Sequence, residues 1–397
     1  MEILAFGVQA DEKPLLEKAF RAEGHHEVRC LDVFLNEDTA PIATGYETVS
    51  TSVNCELGNH VLQTLTAGGT QMIAQRSTGF NNIDLKVAER LALTVARVSY
   101  YSPHSVAEFA WTLAMAVNRN IVRASIRTRD FDFRLDGLMG RDMHGRTAGI
   151  LGTGKIGEAF TRIARGFGMR LLGWDVAENP ACMELGMKYV PKHQLLAESD
   201  LVSLHVPLLP QTRHLLDAAA LRTMKDDAIL VNSSRGGLID SRALVAELRE
   251  GRFTGVGLDV YEAEAGLFFL DKSLEVVDDD TLARLVTFPN VVVTSHQAYY
   301  TVDAVGEIIE TTVQNVLDYT AGRRSENGPA PAPTRATSSR TTSAPRSVST
   351  DSGWNWTPAK PGPRSACTSP APLRLTSTPW AASSTAASSS HRATKLL

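Results

Sequence analysis

Side chains suited to anion binding and proton transfer follow three predicted strands of this sequence. The three stretches are VNSSRGGLID (231–240), GLDVYEAE (257–264) and TSHQAY (294–299). They place Arg235, Glu264 and His296 near strand ends, where open α/β sheets bind their ligands. A guanidinium, a carboxylate and an imidazole are the groups that a hydride-transfer site needs, although a single Arg or His is more often a surface or core residue.

A glycine-rich stretch, TAGILGTGKIG (147–157), has the pattern of a dinucleotide-binding turn. Gly152, Gly154 and Gly157 show the G-x-G-x-x-G spacing between a predicted apolar strand and a predicted helix. The glycines allow a tight turn, close approach of a pyrophosphate and close packing of helix on strand, and the helix N-terminus attracts phosphate. Without that context, such a motif would more often be a turn that binds no dinucleotide.

An acidic residue stands where the ribose of a dinucleotide is expected. The predicted strand 169–174 leads directly into Asp175, at the interval after Gly157 that the dinucleotide fold requires. A carboxylate there accepts hydrogen bonds from the ribose hydroxyls and repels a 2′-phosphate. The sequence therefore predicts NAD as the cofactor in preference to NADP.

The elements that carry these residues alternate between strands and helices, which predicts parallel sheets covered on both faces. We expect an α/β fold with two Rossmann-like domains, each a doubly wound parallel sheet, flanking a cleft. Residues 1–100, completed by 300–328, form the predicted substrate domain, and 101–299 form the predicted NAD domain. The two crossings near 100 and 299 suggest a hinge. The helix predicted over 106–117 is apolar nearly all round, as in a buried helix.

The composition of the last 69 residues differs from the rest. From Pro329 onward there are eight Lys or Arg and one acid, with ten of the 18 prolines, and no periodicity. The segment 329–397 is predicted to be a low-complexity, disordered tail. Two alternatives are a basic interaction tail anchored by Trp354, Trp356 and Trp380, and translation in a shifted reading frame.

The overall composition is that of a soluble globular protein, with 43% hydrophobic and 21% charged residues and a net charge of −4. With the basic tail set aside, the body is acidic, which argues against nucleic-acid binding. Four scattered cysteines without C-x-x-C spacing argue for reduced thiols and against a metal site. No signal peptide and no apolar run near the ~20 residues that span a bilayer were found, so we expect a cytoplasmic protein that is not membrane-bound.

Eight stretches together resemble the D-2-hydroxyacid dehydrogenase family, and most of all its NAD-dependent fermentative D-lactate dehydrogenases. They are RSTGFNNID (76–84), YSPHSVAE (101–108), RTAGILGTGKIG (146–157), DLVSLHVPL (200–208), NSSRGGLID (232–240), GLDVYEAE (257–264), LFFLDKS (267–273) and SHQA (295–298). They occur in the family's order and cover nearly all of residues 1–328, whereas the tail has no counterpart.

The resemblance implies a role for each candidate residue in the interconversion of pyruvate and D-lactate. His296 would give a proton to the carbonyl oxygen, and Glu264 would favour its imidazolium form. Arg235 would bind the 2-oxo acid, whose carboxylate would also meet the backbone N–H groups of Thr78 and Gly79. Tyr101 and Tyr299 would line the substrate pocket.

Two acids compete for the role beside His296. Both Glu262 and Glu264 are near enough in sequence, and the family's spacing of five residues after Asp259 selects Glu264. Asp259 itself would meet the nicotinamide amide or hold the turn. His205 would lie beside the cofactor or pack in the core.

The resemblance also implies a set of contacts to NAD. The residues are Gly152, Gly154, Lys155, Ile156, Gly157, Asp175, Val206, Pro207, Thr212, Ser233, Ser234 and Asp259. The family forms dimers through its cofactor domains, which implies a homodimer with the helix at 106–117 near the interface.

Two departures from the family bear on substrate choice. Ser52 stands where lactate-specific relatives carry a bulky aromatic residue, and Gly266 replaces an acid before LFF. A smaller residue at 52 could enlarge the pocket, so a dehydrogenase for larger 2-oxo acids is an alternative. A second alternative is an NADH-sensing binding protein, because corepressors of this fold keep the same Arg, Glu and His.

Overall fold

The computed structural model describes residues 2–22, 27–99, 101–323 and 327–328. These residues belong to one compact unit, Met1–Pro333. The predicted tail at 329–397 lies outside the described residues.

The first sheet has five parallel strands in the order β2-β1-β3-β4-β5. Its elements are β1 (Glu2–Ala5), α1 (Lys13–Ala22), β2 (Glu27–Cys30), β3 (Thr48–Thr51), α2 (Asn59–Ala67), β4 (Met72–Gln75), α3 (Leu85–Arg90) and β5 (Thr94–Arg97). Successive residues of β1 point to opposite faces, since Leu4 packs in one apolar cluster while Ile3 and Ala5 pack in another. Both faces of the sheet are therefore covered.

The second sheet has seven parallel strands in the order β12-β11-β10-β9-β6-β7-β8. Its strands are β6 (Thr147–Leu151), β7 (Arg170–Trp174), β8 (Lys188–Tyr189), β9 (Leu201–Leu204), β10 (Ile229–Asn232), β11 (Gly255–Leu258) and β12 (Val291–Val293). Its helices are α4 (Pro103–Asn118), α5 (Ile121–Arg129), α6 (Lys155–Gly166), α7 (Pro180–Glu184), α8 (Lys192–Glu198), α9 (Ala218–Thr223), α10 (Ser241–Arg249) and α11 (Asp280–Leu285). The order reverses between β9 and β7 around β6, so the glycine turn after β6 lies at the switch point where such sheets bind nucleotides.

Helix α4 is buried against the second sheet, as its apolar sequence predicts. Glycines in β11 make the close approach possible, because a Cβ at Gly257 would lie 2.9 Å from Leu113 and one at Gly255 2.6 Å from Val117. The chain after α4 starts a separate helix. Asn120 adopts a left-handed φ of 51° and separates α4 from α5, which has no buried residue.

The chain returns to the first sheet through α12 (Val302–Thr320). Val305, Ile309, Val313 and Val316 of this helix join the apolar cluster on one face of that sheet. Beyond the helix, Asn327 accepts a hydrogen bond from the main-chain N–H of Arg97 at 3.1 Å. The C-terminal part of the described chain therefore packs on one face of the N-terminal sheet.

No helix in the described ranges is both long and apolar enough to cross a membrane.

Removing residues 329–397 is expected to leave the melting temperature and the activity unchanged, because every strand and helix above ends by Thr320. A chain that ends at Gly328 tests this against the full chain by calorimetry and turnover. A chain that ends at Gly322 is the control. It loses the Asn327 contact and should melt at a lower temperature. Lost activity in the chain ending at Gly328 would show that the tail takes part in function.

Candidate active site

The imidazole of His296 is paired with a carboxylate. His296 follows β12 in a left-handed conformation (φ 56°), and its N–H donates to the carbonyl of Asp259 at 2.7 Å. Its Nδ1 lies 2.8 Å from Oε1 of Glu264, whose Oε2 accepts from the main-chain N–H of Tyr261 at 3.0 Å. Because Nδ1 is engaged, Nε2 is the ring atom left for a ligand.

The competing acid, Glu262, lies in another polar group. Its Oε1 lies 2.7 Å from Nη2 of Arg213 and 2.6 Å from Nε2 of His214. Glu264 is therefore the acid that meets His296, although Glu262 is only two residues away.

The guanidinium of Arg235 lies against the glycine of another loop. Arg235 follows β10 in an extended conformation, and its Nη1 donates to the carbonyl of Ser234 at 2.6 Å. A Cβ at Gly79 would collide with its Nη2. Glycine at 79 thus lets an arginine from the second sheet reach the loop after β4 of the first sheet.

The turn at Thr78 and Gly79 offers hydrogen-bond donors. The carbonyl of Thr78 accepts from Arg97 at 2.9 Å, and that of Gly79 accepts from the hydroxyl of Ser77 at 2.6 Å. Within the described residues, neither the main-chain N–H groups of Thr78 and Gly79 nor the buried hydroxyl of Thr78 has a partner. Adjacent unpaired N–H groups in a turn are suited to bind an anion.

A cavity of about 50 Å³ joins these groups. One water needs roughly 10–15 Å³, so the space suits a ligand of a few heavy atoms. The residues around it include Gly7, Glu12, Phe34, Ser52, Arg76, Thr78, Gly79, Tyr101, Arg235, His296, Tyr299 and Tyr300. Among these lining residues, two arginines against one acid leave an excess of positive charge, which favours a small anion.

Two tyrosines close one side of the cavity. The rings of Tyr101 and Tyr299 meet edge to face at 6.0 Å. Burial raises the pKa of both phenols above the ordinary value. Both groups therefore stay neutral and able to donate a hydrogen bond to a bound anion.

The far wall of the cavity belongs to the first sheet. Ser52 lies beside Gly7, where an added Cβ would collide with the Ser52 hydroxyl and the ring of Phe34. Arg76 is buried there and donates to Glu12 at 3.0 Å and to the carbonyl of Phe6 at 2.8 Å. The position predicted to enlarge the pocket therefore does lie on its wall.

The glycine turn after β6 has the geometry of a phosphate site. Gly152 has a left-handed φ of 93°, and a Cβ there would lie 2.7 Å from the main-chain nitrogen of Val206. A Cβ at Gly157 would collide with the carbonyl of Gly152. Gly154 is the N-cap of α6 and faces open space, and Lys155 and Ile156 form the first turn of that helix. Space and helix N–H groups here fit a pyrophosphate.

Asp175 lies beside that turn, directly after β7. One carboxylate oxygen accepts from the N–H of Thr153 at 2.6 Å and from its hydroxyl at 3.2 Å. The other accepts from the N–H of Val176 at 2.6 Å. The acid is thus fixed at the edge of the dinucleotide crevice, where a ribose would meet it.

The loops after β9 and β10 meet at the same edge. The hydroxyl of Ser234 donates to the carbonyl of Val206 at 2.7 Å, and that of Thr212 donates to the carbonyl of Pro207 at 2.6 Å. The buried hydroxyl of Ser233 has no partner in the described part of the chain. A buried hydroxyl without a partner in the loop after β10, at the same edge of the sheet as the glycine turn, fits a site that a bound dinucleotide completes.

Asp259 and His205, each of which has two alternative roles from the sequence, have partners within the fold. Asp259 is fully buried and accepts from the hydroxyl of Thr294 and the N–H groups of Gln297 and Ala298 at 2.6–2.9 Å. These contacts favour its turn-holding role. Burial lowers the pKa of His205 to about 3, and its ring packs on Phe160 at 5.0 Å. His205 is therefore neutral near pH 7 and is unsuited to be the proton donor.

Some residues around or behind the cavity were not found from the sequence. Arg97, Glu12 and Phe34 belong to stretches without a motif, and only their position in the folded sheet brings them to the site. Arg76 and Ser77 stand inside RSTGFNNID (76–84), so the motif itself was the available signal. No group of three or more His, Cys, Asp or Glu residues among those described is arranged to hold a metal ion.

Comparison with known proteins gives consistent matches. The family model for the D-isomer specific 2-hydroxyacid dehydrogenase, NAD binding domain, matches residues 111–298. The D-lactate dehydrogenase of Escherichia coli K12 is 44% identical over 327 residues, which are 82% of this chain and 99% of that protein. The family resemblance and the NAD cofactor predicted from the sequence are thereby confirmed.

Solved structures agree on the fold. The apo-structure of the E. coli D-lactate dehydrogenase matches with a TM-score of 0.76 and 42% identity, covering 82% of this chain and 99% of that one. The pyruvate reductase of Chlamydomonas reinhardtii matches with a TM-score of 0.79 and 37% identity, covering 82% and 98%. The predicted α/β fold of two parallel sheets is confirmed.

Glu264→Gln is expected to move the alkaline limit of 2-oxo acid reduction to lower pH. The change keeps the shape but removes the negative charge 2.8 Å from Nδ1 of His296, so the protonated form of the ring loses its ionic partner. The measurement is kcat/KM as a function of pH. Glu262→Gln is the matched control and should keep the wild-type limit. An unchanged profile for Glu264→Gln would reassign the carboxylate role.

Asp175→Ala is expected to erode the preference for NADH over NADPH. The change removes a charged acceptor for the ribose hydroxyls and also the charge that repels a 2′-phosphate. The selectivity for NADH over NADPH should therefore fall by about 10- to 100-fold. Dissociation constants for both cofactors measure it, with Glu178→Ala on the same loop as the control. A wild type that binds both equally would contradict the assignment.

Proposed function

Because the chain belongs to the D-isomer-specific 2-hydroxyacid dehydrogenases, we propose that it interconverts pyruvate and D-lactate. It is an NAD-dependent oxidoreductase. The single observation that supports a 2-oxo acid substrate best is the convergence of Arg235, the Thr78–Gly79 turn and His296 on one small cavity.

In this proposal the head of the 2-oxo acid is bound by charge and by hydrogen bonds. The unpaired N–H groups of Thr78 and Gly79 receive the carboxylate, and the fork of Arg235 holds the carboxylate and the carbonyl oxygen in one plane. The guanidinium also stabilises the negative charge that develops on that oxygen. Tyr101 and Tyr299 contact the rest of the molecule.

Proton transfer is assigned to His296. Its Nε2 gives a proton to the carbonyl oxygen in reduction and takes it back in oxidation, while Glu264 at Nδ1 stabilises the imidazolium. When bound, NADH supplies the hydride that adds to the carbonyl carbon. The Rossmann turn with Gly152, Gly154 and Gly157, and Asp175 beside it, would hold that cofactor.

The test is a substrate-dependent fall in NADH absorbance with pyruvate. His296→Ala should lower kcat by about 10²–10⁴, the usual contribution of a positioned acid. Arg235→Lys keeps the charge but loses the bidentate fork, so KM should rise and kcat should fall. A purified protein that binds NADH yet reduces no 2-oxo acid would reject the proposal.

Ser52 favours a second candidate, a dehydrogenase with activity on larger 2-oxo acids. Its small side chain lies on the cavity wall next to Phe34. Each buried CH₂ contributes about 0.8 kcal/mol, so one further methylene would offset a looser fit around the smaller substrate.

We expect pyruvate and 2-oxobutyrate to differ by no more than about tenfold in kcat/KM. Ser52→Phe should narrow the range toward pyruvate, because an aromatic ring would occupy the space that the additional methylene needs. Competition assays with both substrates measure the ratio. If wild type rejects 2-oxobutyrate by orders of magnitude, another side chain closes the pocket.

We also propose that the protein is a homodimer. Helix α4, predicted to lie near the interface, packs much of its apolar surface inside its own subunit. Several exposed apolar residues lie just after it, on α5 and the following loop: Ile121, Ile126, Phe131, Phe133, Leu135 and Met139. A two-fold contact would cover them. Sedimentation analysis tests this, and Ile126→Asp should weaken the dimer.

We propose a cytoplasmic location because the described cysteines form no disulfide bonds. Cys30, Cys55 and Cys182 are free thiols in the described chain, as expected for a reducing compartment.

We further propose that the chain crosses between two domains near residues 100 and 299, and that the cleft closes around its substrate there.

A further inference from the structure

Substrate binding at the proposed site depends on the orientation of the N–H groups in the Thr78–Gly79 turn. Thr78 and Gly79 lie in a loop after β4, and a peptide unit in a loop can rotate. Loop amides bind an anion well only when they already point toward it. Some contact must therefore fix the peptide unit before the substrate arrives.

Arg97 makes that contact. It is the last residue of β5, the strand next to β4, and its Nη1 donates to the carbonyl of Thr78 at 2.9 Å. Arg97 is not among the residues that line the cavity, so it approaches the turn from behind. In a trans peptide the C=O of one residue and the N–H of the next point in opposite directions, and no described peptide bond is cis. The bond to the Thr78 carbonyl thus turns the N–H of Gly79 away from Arg97.

Arg97 is itself held firmly. Its guanidinium stacks on the ring of Phe80 at 5.0 Å, the residue directly after the turn. Its main-chain N–H donates to the carbonyl of Asn327 at 3.1 Å, and its carbonyl accepts from the amide of Asn315 at 3.0 Å. These contacts connect the turn to α12 and leave the arginine little freedom to move.

We propose that Arg97 is a positioning residue for substrate, which orients and polarises the Thr78–Gly79 peptide so that its N–H binds the carboxylate. The inference rests on the proposed function. A cationic donor on the carbonyl draws electron density from the peptide and makes its N–H a stronger donor. Arg97 acts through the peptide and does not touch the substrate.

The experiment compares Arg97→Met, Arg97→Lys and Arg90→Met with wild type. Met keeps an unbranched stem but removes the donor and the charge, whereas Lys keeps both in another geometry. Arg90 is exposed at the end of α3 in the same sheet unit, and none of the described contacts joins it to the turn, so Arg90→Met is the matched control. Each protein is measured for KM of pyruvate and of NADH, kcat, melting temperature and the affinity of oxamate, an unreactive 2-oxo acid analogue, for the enzyme–NADH complex.

Arg97→Met is expected to raise the KM of pyruvate and the Kd of oxamate together by about 10- to 100-fold, the range for a lost charge-assisted hydrogen bond. The KM of NADH should not change. Arg97→Lys should recover part of the loss, and Arg90→Met should match wild type. Unchanged pyruvate and oxamate constants would overturn the inference, as would a fall in melting temperature with equal weakening of NADH and oxamate.

If Arg97→Met does not fold, Arg97→Gln takes its place. In Arg97→Gln, which removes the charge but keeps a polar side chain, a selective rise in the oxamate Kd then supports the inference, and wild-type binding overturns it. A failure of the proposed function looks different, because the wild-type protein itself would then reduce no 2-oxo acid.

Discussion

The buried carboxylate of Asp259 is the interaction on which the geometry of the site depends. The main-chain N–H of Asp259 donates to the carbonyl of Asn232 at the end of β10, and the main-chain carbonyl of Asp259 accepts from the N–H of His296. Its side chain receives three further hydrogen bonds from residues 294–298. Burial raises the pKa of this carboxyl, and a carboxylate in such a place is tolerated only because donors surround it. The same contacts hold His296 in its left-handed conformation, so one acid positions the imidazole without touching it.

The turn after β11 explains why two neighbouring acids have different partners. The N–H of Tyr261 donates to Glu264, and the N–H of Glu264 donates back to the carbonyl of Tyr261. This reciprocal pair closes the chain over four residues and directs Glu264 to His296. Glu262 is left on the other side, where it contacts Arg213 and His214. The five-residue spacing between Asp259 and Glu264 therefore reflects this turn. If residues 259–264 formed a strand, the turn would be absent and Glu264 would not be directed to His296.

Local patterns in the sequence were sufficient for the sheets, the glycine turn and the residues that follow strand ends. Parallel strands bring their carboxyl ends to one edge, so Arg235 and His296 could be placed near each other from strand prediction alone. Contacts between neighbouring strands and loops could not be found in this way. The bond from Arg97 to Thr78 depends on the register of β5 against β4, and the break at Asn120 depends on a single left-handed residue. Periodicity reports which face is buried, but it does not report which side chain reaches a given carbonyl.

Residues from both sheets surround the cavity, and each sheet contributes a different kind of group. Arg235, Glu264 and His296 come from loops of the second sheet, where Asp259 also lies. Gly7, Ser52 and the buried pair of Arg76 and Glu12 come from the first sheet and form the far wall. A side chain on that wall can change size without altering the 2.8 Å contact between His296 and Glu264, since no hydrogen bond of the described chain joins the wall to that pair. Substrate size and acid–base chemistry are thus physically separable in this fold. Arg235 is the exception, because it reaches from a loop of the second sheet to Gly79 in a loop of the first.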